Sequence, residues 1–400
     1  MAITRLSLSS ILNSPKSESM LDGLVPLPSV PTIGTATNVG DGVSVSVSFT
    51  SGGIPGGSYT VLSTPGSITA TGGSSPIVIT GLTAGVSYTF KVKATNSTGD
   101  SAYSASSNAV TPVAPFVATG GTITTPGDGY KYHTFTGGGT FAVTSGSQPA
   151  AEVIVVAGGG SGWNSTGQGG GGGAGGLVYV PSTPFTPTGG NGSGAYTVTI
   201  GAGGPGSTNN PGNPSSFTGL TTAVAGGAGA GQQSGNPGGS GGGRSMDPFF
   251  STGQGTPGQG YPGGAPDEFN NNAGGGGGAG GRSPDRVLVP GYGQYLGQSG
   301  GPGLPYFGTY YAGGGGGAQP VPSSFPGAGA PLITKPGIGG GGQGAIVVSR
   351  PNPTGGPYTM KASTSGTVNT GGGGGGRPAT PPTAGTIAGG SGIVIVRYPA

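Results

Sequence analysis

The sequence predicts an all-β protein, on three observations. Val43, Val45, Val47 and Phe49 alternate with polar residues, the two-residue period of a half-buried strand. The apolar runs Val153-Ile154-Val155-Val156, Ala345-Ile346-Val347-Val348 and Ile393-Val394-Ile395-Val396 have the length of buried strands and are bounded by glycine. Most helix-compatible sequence is confined to residues 1–28, where Ile3, Leu6, Leu8, Ile11, Leu12, Met20 and Leu21 precede the helix-stopping Pro26 and Pro28.

The remainder of the chain falls into two regions. Residues 29–113 form a self-contained set of strand signals: Val43 to Phe49, then Tyr59 and Val61, then Ile77 and Ile79, then Tyr88, Phe90, Val92 and Ala94 pointing one way. Leu82 and Tyr88 have the spacing of a tyrosine corner, a scaffold pair in which the phenol bonds back to nearby backbone. Asn96 to Asp100 read as a turn, Asn108 to Pro112 close the region, and Pro112 to Pro115 make a hinge. Residues 118–400 begin with alternating strands at Tyr130–Phe135 and Phe141–Val143, followed by strands over Leu177–Val180, Tyr196–Ile200 and Phe217–Val224.

That second region is dominated by uninterrupted glycine runs: 169–173, 241–243, 274–278, 313–317, 339–342 and 371–376. The chain has 100 glycines in 400 residues, and each costs roughly 0.5–1 kcal/mol relative to alanine when it is ordered. A flexible Gly/Ser linker is the first reading. Against it, only 6% of residues are charged, whereas disordered chains commonly stay soluble through charge, and linkers do not carry interleaved apolar strands. Collagen requires a Gly-X-Y period, which is absent. The reading retained is a packed array of polyglycine-II helices: three residues per turn, a rise of about 3.1 Å per residue, no internal hydrogen bonds. Neighbouring helices without side chains can approach until N–H groups meet carbonyls.

Catalytic chemistry finds no constellation here, and the chain is read as no enzyme, with no cofactor and no metal. His133 is the lone histidine and sits in an alternating strand, which predicts a structural role. Gly238-Gly239-Ser240-Gly241-Gly242 fits G-x-S-x-G, a chance match in a Gly/Ser stretch. The acidic residues are scattered, Asp267-Glu268 being the adjacent pair. With no cysteine, disulfides and thiolate metal sites are excluded. A net charge of +3 without a basic stripe speaks against a nucleic-acid partner. No stretch approaches the ~20 apolar residues of a membrane span, so membrane insertion is not expected, and the N-terminus lacks the apolar core of a signal peptide.

Aromatic placement supplies the candidate site. Ten of the chain's aromatic residues (15 Tyr, 12 Phe, 1 Trp overall) crowd between Arg244 and Tyr311. Phe249, Phe250, Tyr261, Tyr292, Tyr295, Tyr306, Phe307, Tyr310 and Tyr311 are the receptor-binding candidates, with Phe269 in the same stretch. Tyrosine in Gly/Ser-rich loops is the composition of recognition surfaces, and loops on a rigid frame commonly carry function. The competing reading is that these rings cap a glycine array that has no side-chain core of its own. Arg244, Arg282, Asp285 and Arg286 border the same loops.

Residues 29–113 resemble a fibronectin type III module of the bacterial and phage kind, most specifically at Leu82 and Tyr88. Tyr130–Phe141, Val153–Gly160, Gly169–Leu177, Tyr196–Gly204 and Gly389–Tyr398 resemble a glycine-rich domain common in tail-fibre and other virion proteins of bacteriophages and in bacterial surface proteins. The long runs look like those of distal tail-fibre adhesins of T-even-like phages, in which packed glycine helices present loops to a receptor. One departure is that Gly341 to Arg350 nearly repeat the closing strand about 50 residues early, which leaves the strand order after residue 340 open.

These resemblances imply a protein on the exterior of a phage particle. Residues 1–28 would attach it to other virion proteins, residues 29–113 would be a spacer, and the glycine-rich domain would bind a host surface glycan or outer-membrane protein, as a homo-oligomer. The alternative is a capsid decoration or head-fibre protein that stabilises the particle. A bacterial surface adhesin is a third reading.

Overall fold

The structure, a computed structural model, describes residues 25–53, 57–163, 169–206, 209–231, 233–245, 249–266, 273–284, 298–319, 334–349, 359–377 and 387–400. The chain divides into two compact units, Met1–Phe116 and Val117–Ala400. All regular elements among the described residues are strands, so the fold is all-β.

In the first unit the strands are β1 (Thr32–Asn38), β2 (Val45–Thr50), β3 (Ser58–Thr64), β4 (Thr69–Gly72), β5 (Ile77–Ile79), β6 (Thr89–Asn96) and β7 (Gly99–Asp100). They form a three-stranded sheet, β1-β2-β5, and a four-stranded sheet, β4-β3-β6-β7. Val45, Val47, Ile77 and Ile79 of one meet Val61, Phe90 and Val92 of the other in a single buried cluster. The two-residue alternation is the cause, since it puts every apolar side chain of a strand on one face. The unit is a two-sheet sandwich of antiparallel strands. The Tyr88 hydroxyl accepts the Thr83 N–H at 3.1 Å, next to buried Leu82.

An unpatterned stretch completes this sandwich. Ser101, Ser104 and Ser107 donate their N–H groups to the carbonyls of Ala94, Val92 and Phe90 on β6. Their hydroxyls accept the N–H groups of the same three residues at 3.0, 3.1 and 3.0 Å. The hydroxyl supplies an acceptor that the off-register backbone does not, so a three-residue spacing serves as a sheet edge.

The second unit contains β8 (Val117–Thr119), β9 (Thr122–Thr124), β10 (Tyr130–Phe135), β11 (Gly139–Ser145), β12 (Gln148–Val156), β13 (Leu177–Phe185), β14 (Ala195–Thr199), β15 (Ser216–Phe217), β16 (Leu304–Tyr306), β17 (Thr309–Tyr311), β18 (Ile346–Ser349), β19 (Thr359–Lys361) and β20 (Ile393–Pro399). The main sheets are β13-β12-β20-β10-β9 and β15-β14-β11-β8. Phe141, Phe185, Tyr196 and Phe217 fill the space between them, with ring centroids 4.8–6.1 Å apart. His133 is fully buried there. Its Nδ1–H donates to the Gly120 carbonyl at 2.8 Å, which leaves Nε2 to accept the Tyr398 hydroxyl at 2.8 Å. Burial holds the His133 pKa below its ordinary value.

β12 leads straight into the glycine array, where residues 169–176 form the central segment. Its N–H donations go to three neighbours in rotation. Gly169, Gly172 and Gly175 donate to Arg377, Gly374 and Gly371; Gly170, Gly173 and Gly176 to Ala230, Gly227 and Val224; Gly171 and Ala174 to Gly274 and Gly277. Its carbonyls receive from three further segments: Ala157, Gly160 and Trp163 donate to Gly176, Gly173 and Gly170; Ser240 and Gly243 to Ala174 and Gly171; Gly315 and Ala318 to Gly172 and Gly169. One buried segment is therefore ringed by six others, with partners repeating every third residue.

The packing explains why these residues are glycine. A Cβ on Gly171, Gly172 or Gly173 would lie 2.1–2.2 Å from a carbonyl oxygen of Gly315, Gly160 or Ser240. None of the three has a φ in the left-handed region. Close approach is what excludes a side chain at these positions.

One expectation changes, at the Phe217–Val224 strand. Only Ser216–Phe217 of the Phe217–Val224 region is a strand; Val224 instead accepts a hydrogen bond from Gly176 as part of the array. The early copy of the closing strand, β18, pairs with β19 in a separate hairpin, while β20 occupies the middle of the five-stranded sheet between β12 and β10. The strand order after residue 340, left open by the sequence, is thereby settled for the described residues. Residues 1–28, expected from the sequence to attach the protein, lie outside the described residues except for 25–28, where the Pro26 carbonyl accepts from the Asn96 amide at 2.6 Å.

Candidate functional site

The hydrogen-bond register brings Trp163, Gly169, Ala230, Gly243, Ala318 and Arg377 to one level, the end of the array opposite the five-stranded sheet. At the other end, Ala174, Leu177, Ala279, Tyr311 and Ala312 join Ile154, Val156, Ile393 and Ile395 in one buried cluster. The array is thereby fused to the outer face of the five-stranded sheet.

The sequence candidates separate on this frame. Tyr311 is 6% exposed and belongs to that cluster. It is removed from the receptor-binding set, because its ring has no surface to offer. Tyr306 stacks on Tyr179 with centroids 4.6 Å apart, and Phe307 packs edge-on against Tyr132 at 5.9 Å. These two are half-buried and pack on strands of the five-stranded sheet, whereas the competing reading of the sequence has the rings cap the glycine array. Tyr310, on the same β16–β17 hairpin, faces outward at 46% exposure. Phe249 is 93% exposed, and the carbonyl of Phe250 accepts from Arg244 Nη1 at 2.7 Å. Tyr292 and Tyr295 lie outside the described residues, as does Phe269.

Under the hairpin is a polar cluster with no counterpart in the sequence reading. The Arg397 guanidinium carbon sits 4.3 Å from the Tyr130 ring centroid and 4.1 Å from that of Phe307. Glu152 Oε1 accepts from Arg397 Nε at 2.8 Å and pairs with Nη2 at 2.7 Å, while Oε2 accepts the Tyr179 hydroxyl at 2.6 Å. Burial, reinforced by that bond, pushes the Tyr179 pKa up to about 12. Cross-strand register assembles the group: Arg397 lies between Tyr132 on β10 and Glu152 on β12. Arg397 pairs with Glu152 inside the cluster and packs on Phe307, which makes the cluster a clamp for the hairpin.

Beside the array lie two open hollows that share Pro262 as a lining residue. One, with a volume of about 500 Å³, is lined by Tyr261, Pro262 and Leu304, together with glycine backbone. The other, about 370 Å³, adds Thr252, Gln254 and Arg282. Tyr261 is pinned on both sides, its N–H donating to Gly278 and its carbonyl accepting from Gly241, yet it is 48% exposed. The turn before it is anchored by buried Gln259, whose Oε1 accepts from Val224 N–H at 2.8 Å and whose Nε2 donates to Thr222 O at 3.0 Å. Of the lining residues, Tyr261 and Arg282 were visible as loop residues in the sequence. Thr252 and Gln254 were not, being ordinary residues of a Gly/Thr/Gln-rich stretch.

Among solved structures, the FN1–FN3 domains of chicken CNTN1 are similar at 14% identity, over 49% of this chain and 62% of that chain, with a TM-score of 0.19. The chain thus spans about three fifths of that protein's resolved length. None of the curated proteins compared with it matches. Residues 134–399, most of the second unit, match the model of the glycine-rich domain, so the chain belongs to that family.

Proposed function

We propose that this is a structural protein of a bacteriophage virion, a tail-fibre or tip adhesin that contacts a host surface receptor with side chains mounted on a polyglycine-II scaffold. The observation that carries the reading is the backbone-bonded array. Its three-residue rotation of partners supports assigning the runs to polyglycine-II helices. Because adjacent segments hold one another by backbone bonds, surface residues such as Phe249, Tyr261 and Tyr310 are presented on a frame that needs no side-chain core. Rigid aromatic contacts of this kind bind with little entropy loss. Residues 1–28 attach the protein to neighbouring virion proteins, and the fibronectin-type sandwich is a spacer.

The burial of Tyr306, Phe307 and Tyr311 favours a second reading, a capsid decoration or head-fibre protein, since rings spent on capping leave a smaller contact surface. Immunogold labelling of particles separates the two. Gold at the tail tip, together with purified protein that blocks adsorption to susceptible cells, is the expected result. Gold over the capsid with unimpeded adsorption would replace the adhesin by the decoration protein.

A further inference from the structure

We propose that the two hollows sharing Pro262 bind a neutral saccharide built of rings with equatorial hydroxyls; this rests on the adhesin reading and names its ligand class. The backbone of the lining carries the argument. Gly260, Tyr261, Gly263 and Gly280 commit their N–H groups to the carbonyls of Thr256, Gly278, Gly253 and Pro302. Pro257 and Pro262 have no N–H to give. The carbonyls of Gly260, Pro262, Gly263 and Gly280, by contrast, accept no backbone hydrogen bond among the described residues. The backbone of the wall is therefore rich in free acceptors and poor in free donors, and the ligand that suits it brings donors.

Sugar hydroxyls meet that demand, since a rotating O–H turns its proton to whichever acceptor it faces. An extended peptide meets it less well: each N–H it brings comes with a carbonyl, and the committed amides leave few donors for it. The Tyr261 ring supplies the second element. It lines the larger hollow, is 48% exposed and has its backbone fixed on both sides, so it can stack on the apolar face of a pyranose, which is broadest when the hydroxyls are equatorial. Thr252 and Gln254 in the other hollow add a hydroxyl and an amide, groups that suit sugar hydroxyls. Neutrality follows from the charges. Arg282, the charged residue of the lining, is already engaged, and no carboxylate lines either hollow among the described residues.

The test uses the full-length chain and three probes of one backbone: cellotriose, its per-O-methyl ether and the cationic β-1,4-linked glucosamine trimer, titrated by calorimetry at low and moderate salt. Cellotriose should bind about tenfold or more tighter than the ether, which keeps the rings and loses the donors, and its binding should be indifferent to salt. Tyr261→Ala should weaken cellotriose binding about tenfold, whereas Tyr261→Phe, which keeps the ring, should stay within about threefold of the wild-type chain. Equal binding of cellotriose and the ether overturns the proposal, and that comparison stands even where Tyr261→Ala fails to fold. Tighter, salt-sensitive binding of the glucosamine trimer overturns it in favour of a cation, and the absence of binding by any probe also overturns it. If folded Tyr261→Ala binds cellotriose as the wild-type chain does while the chain still blocks adsorption, the assignment of the hollows falls and the adhesin stands. If cellotriose binds as expected but the chain does not block adsorption, the adhesin falls and the saccharide site stands.

Discussion

Glycine has two separate uses in this chain, and single substitutions tell them apart. At Gly172 an added Cβ would lie 2.2 Å from the Gly160 carbonyl oxygen, so backbone must move. Gly172→Ala should cost about 3 kcal/mol or more, read as a lower denaturation midpoint. Gly258 has φ +77° with open space around it, and Gly258→Ala there should cost only about 1–2 kcal/mol, the strain of the left-handed conformation. Equal costs at the two sites would show that packing does not fix the array. His133 makes a second residue-scale prediction. Its folded pKa is lowered by burial, so the unfolded chain takes up the proton first. Stability is therefore full above the ordinary histidine pKa of 6.5 and falls as the pH drops below it, by at most about 1.4 kcal/mol per pH unit. Denaturant titrations between pH 7.5 and 5 should show this slope, and His133→Gln should flatten it.

At the scale of elements, two structures hold by groups the pattern does not advertise. The serine edge along β6 depends on hydroxyl acceptors, and Ser104 is buried with its Oγ receiving the Val92 N–H. Ser104→Ala leaves that donor unpaired and should cost about 1–3 kcal/mol in thermal or denaturant unfolding. The β16–β17 hairpin is held over the five-stranded sheet by the Glu152–Arg397 pair and the rings around it. Glu152→Gln removes the charge that pairs with Arg397 and leaves at best a neutral amide oxygen in place of the carboxylate that strengthens the hold on the Tyr179 proton. The Tyr179 pKa should fall from about 12, seen in the ultraviolet titration of phenolate, with a stability loss of about 2–3 kcal/mol. The strands themselves were legible, because alternation and apolar runs report burial directly. The serine edge was not, since its three-residue spacing matches neither strand nor helix. Nor could β18 be told from the true closing strand β20, as the two copies are nearly alike in sequence and differ in their pairing partners.

For the whole molecule the array is the organising fact. Its amide groups are paired segment to segment, so those of 169–176 at its centre should exchange with solvent as slowly as those of β12 and β20. Hydrogen exchange monitored by mass spectrometry on the intact chain makes the comparison. Exchange of 169–176 within seconds, with slow exchange in the sheets, would show that the central segment is not held. The candidate surface belongs to this scale too. Aromatic density in the sequence pointed at the stretch 244–311, in which Tyr306, Phe307 and Tyr311 turn inward while Tyr261 and Tyr310 turn out. Which way a ring faces depends on where its segment enters the array, and that is set by contacts far along the chain.

By itself the sequence determined the all-β class, the alternating sandwich strands and the demand that oligoglycine be packed, because periodicity and the absence of charge are local properties. Only the tertiary structure decided that residues 169–176 lie at the centre of six neighbours, that β20 and not its earlier copy closes the sheet, and which loop side chains line the hollows. Glycine offers no side-chain pattern from which neighbours can be read, so the order of segments is encoded in backbone pairing across the whole unit.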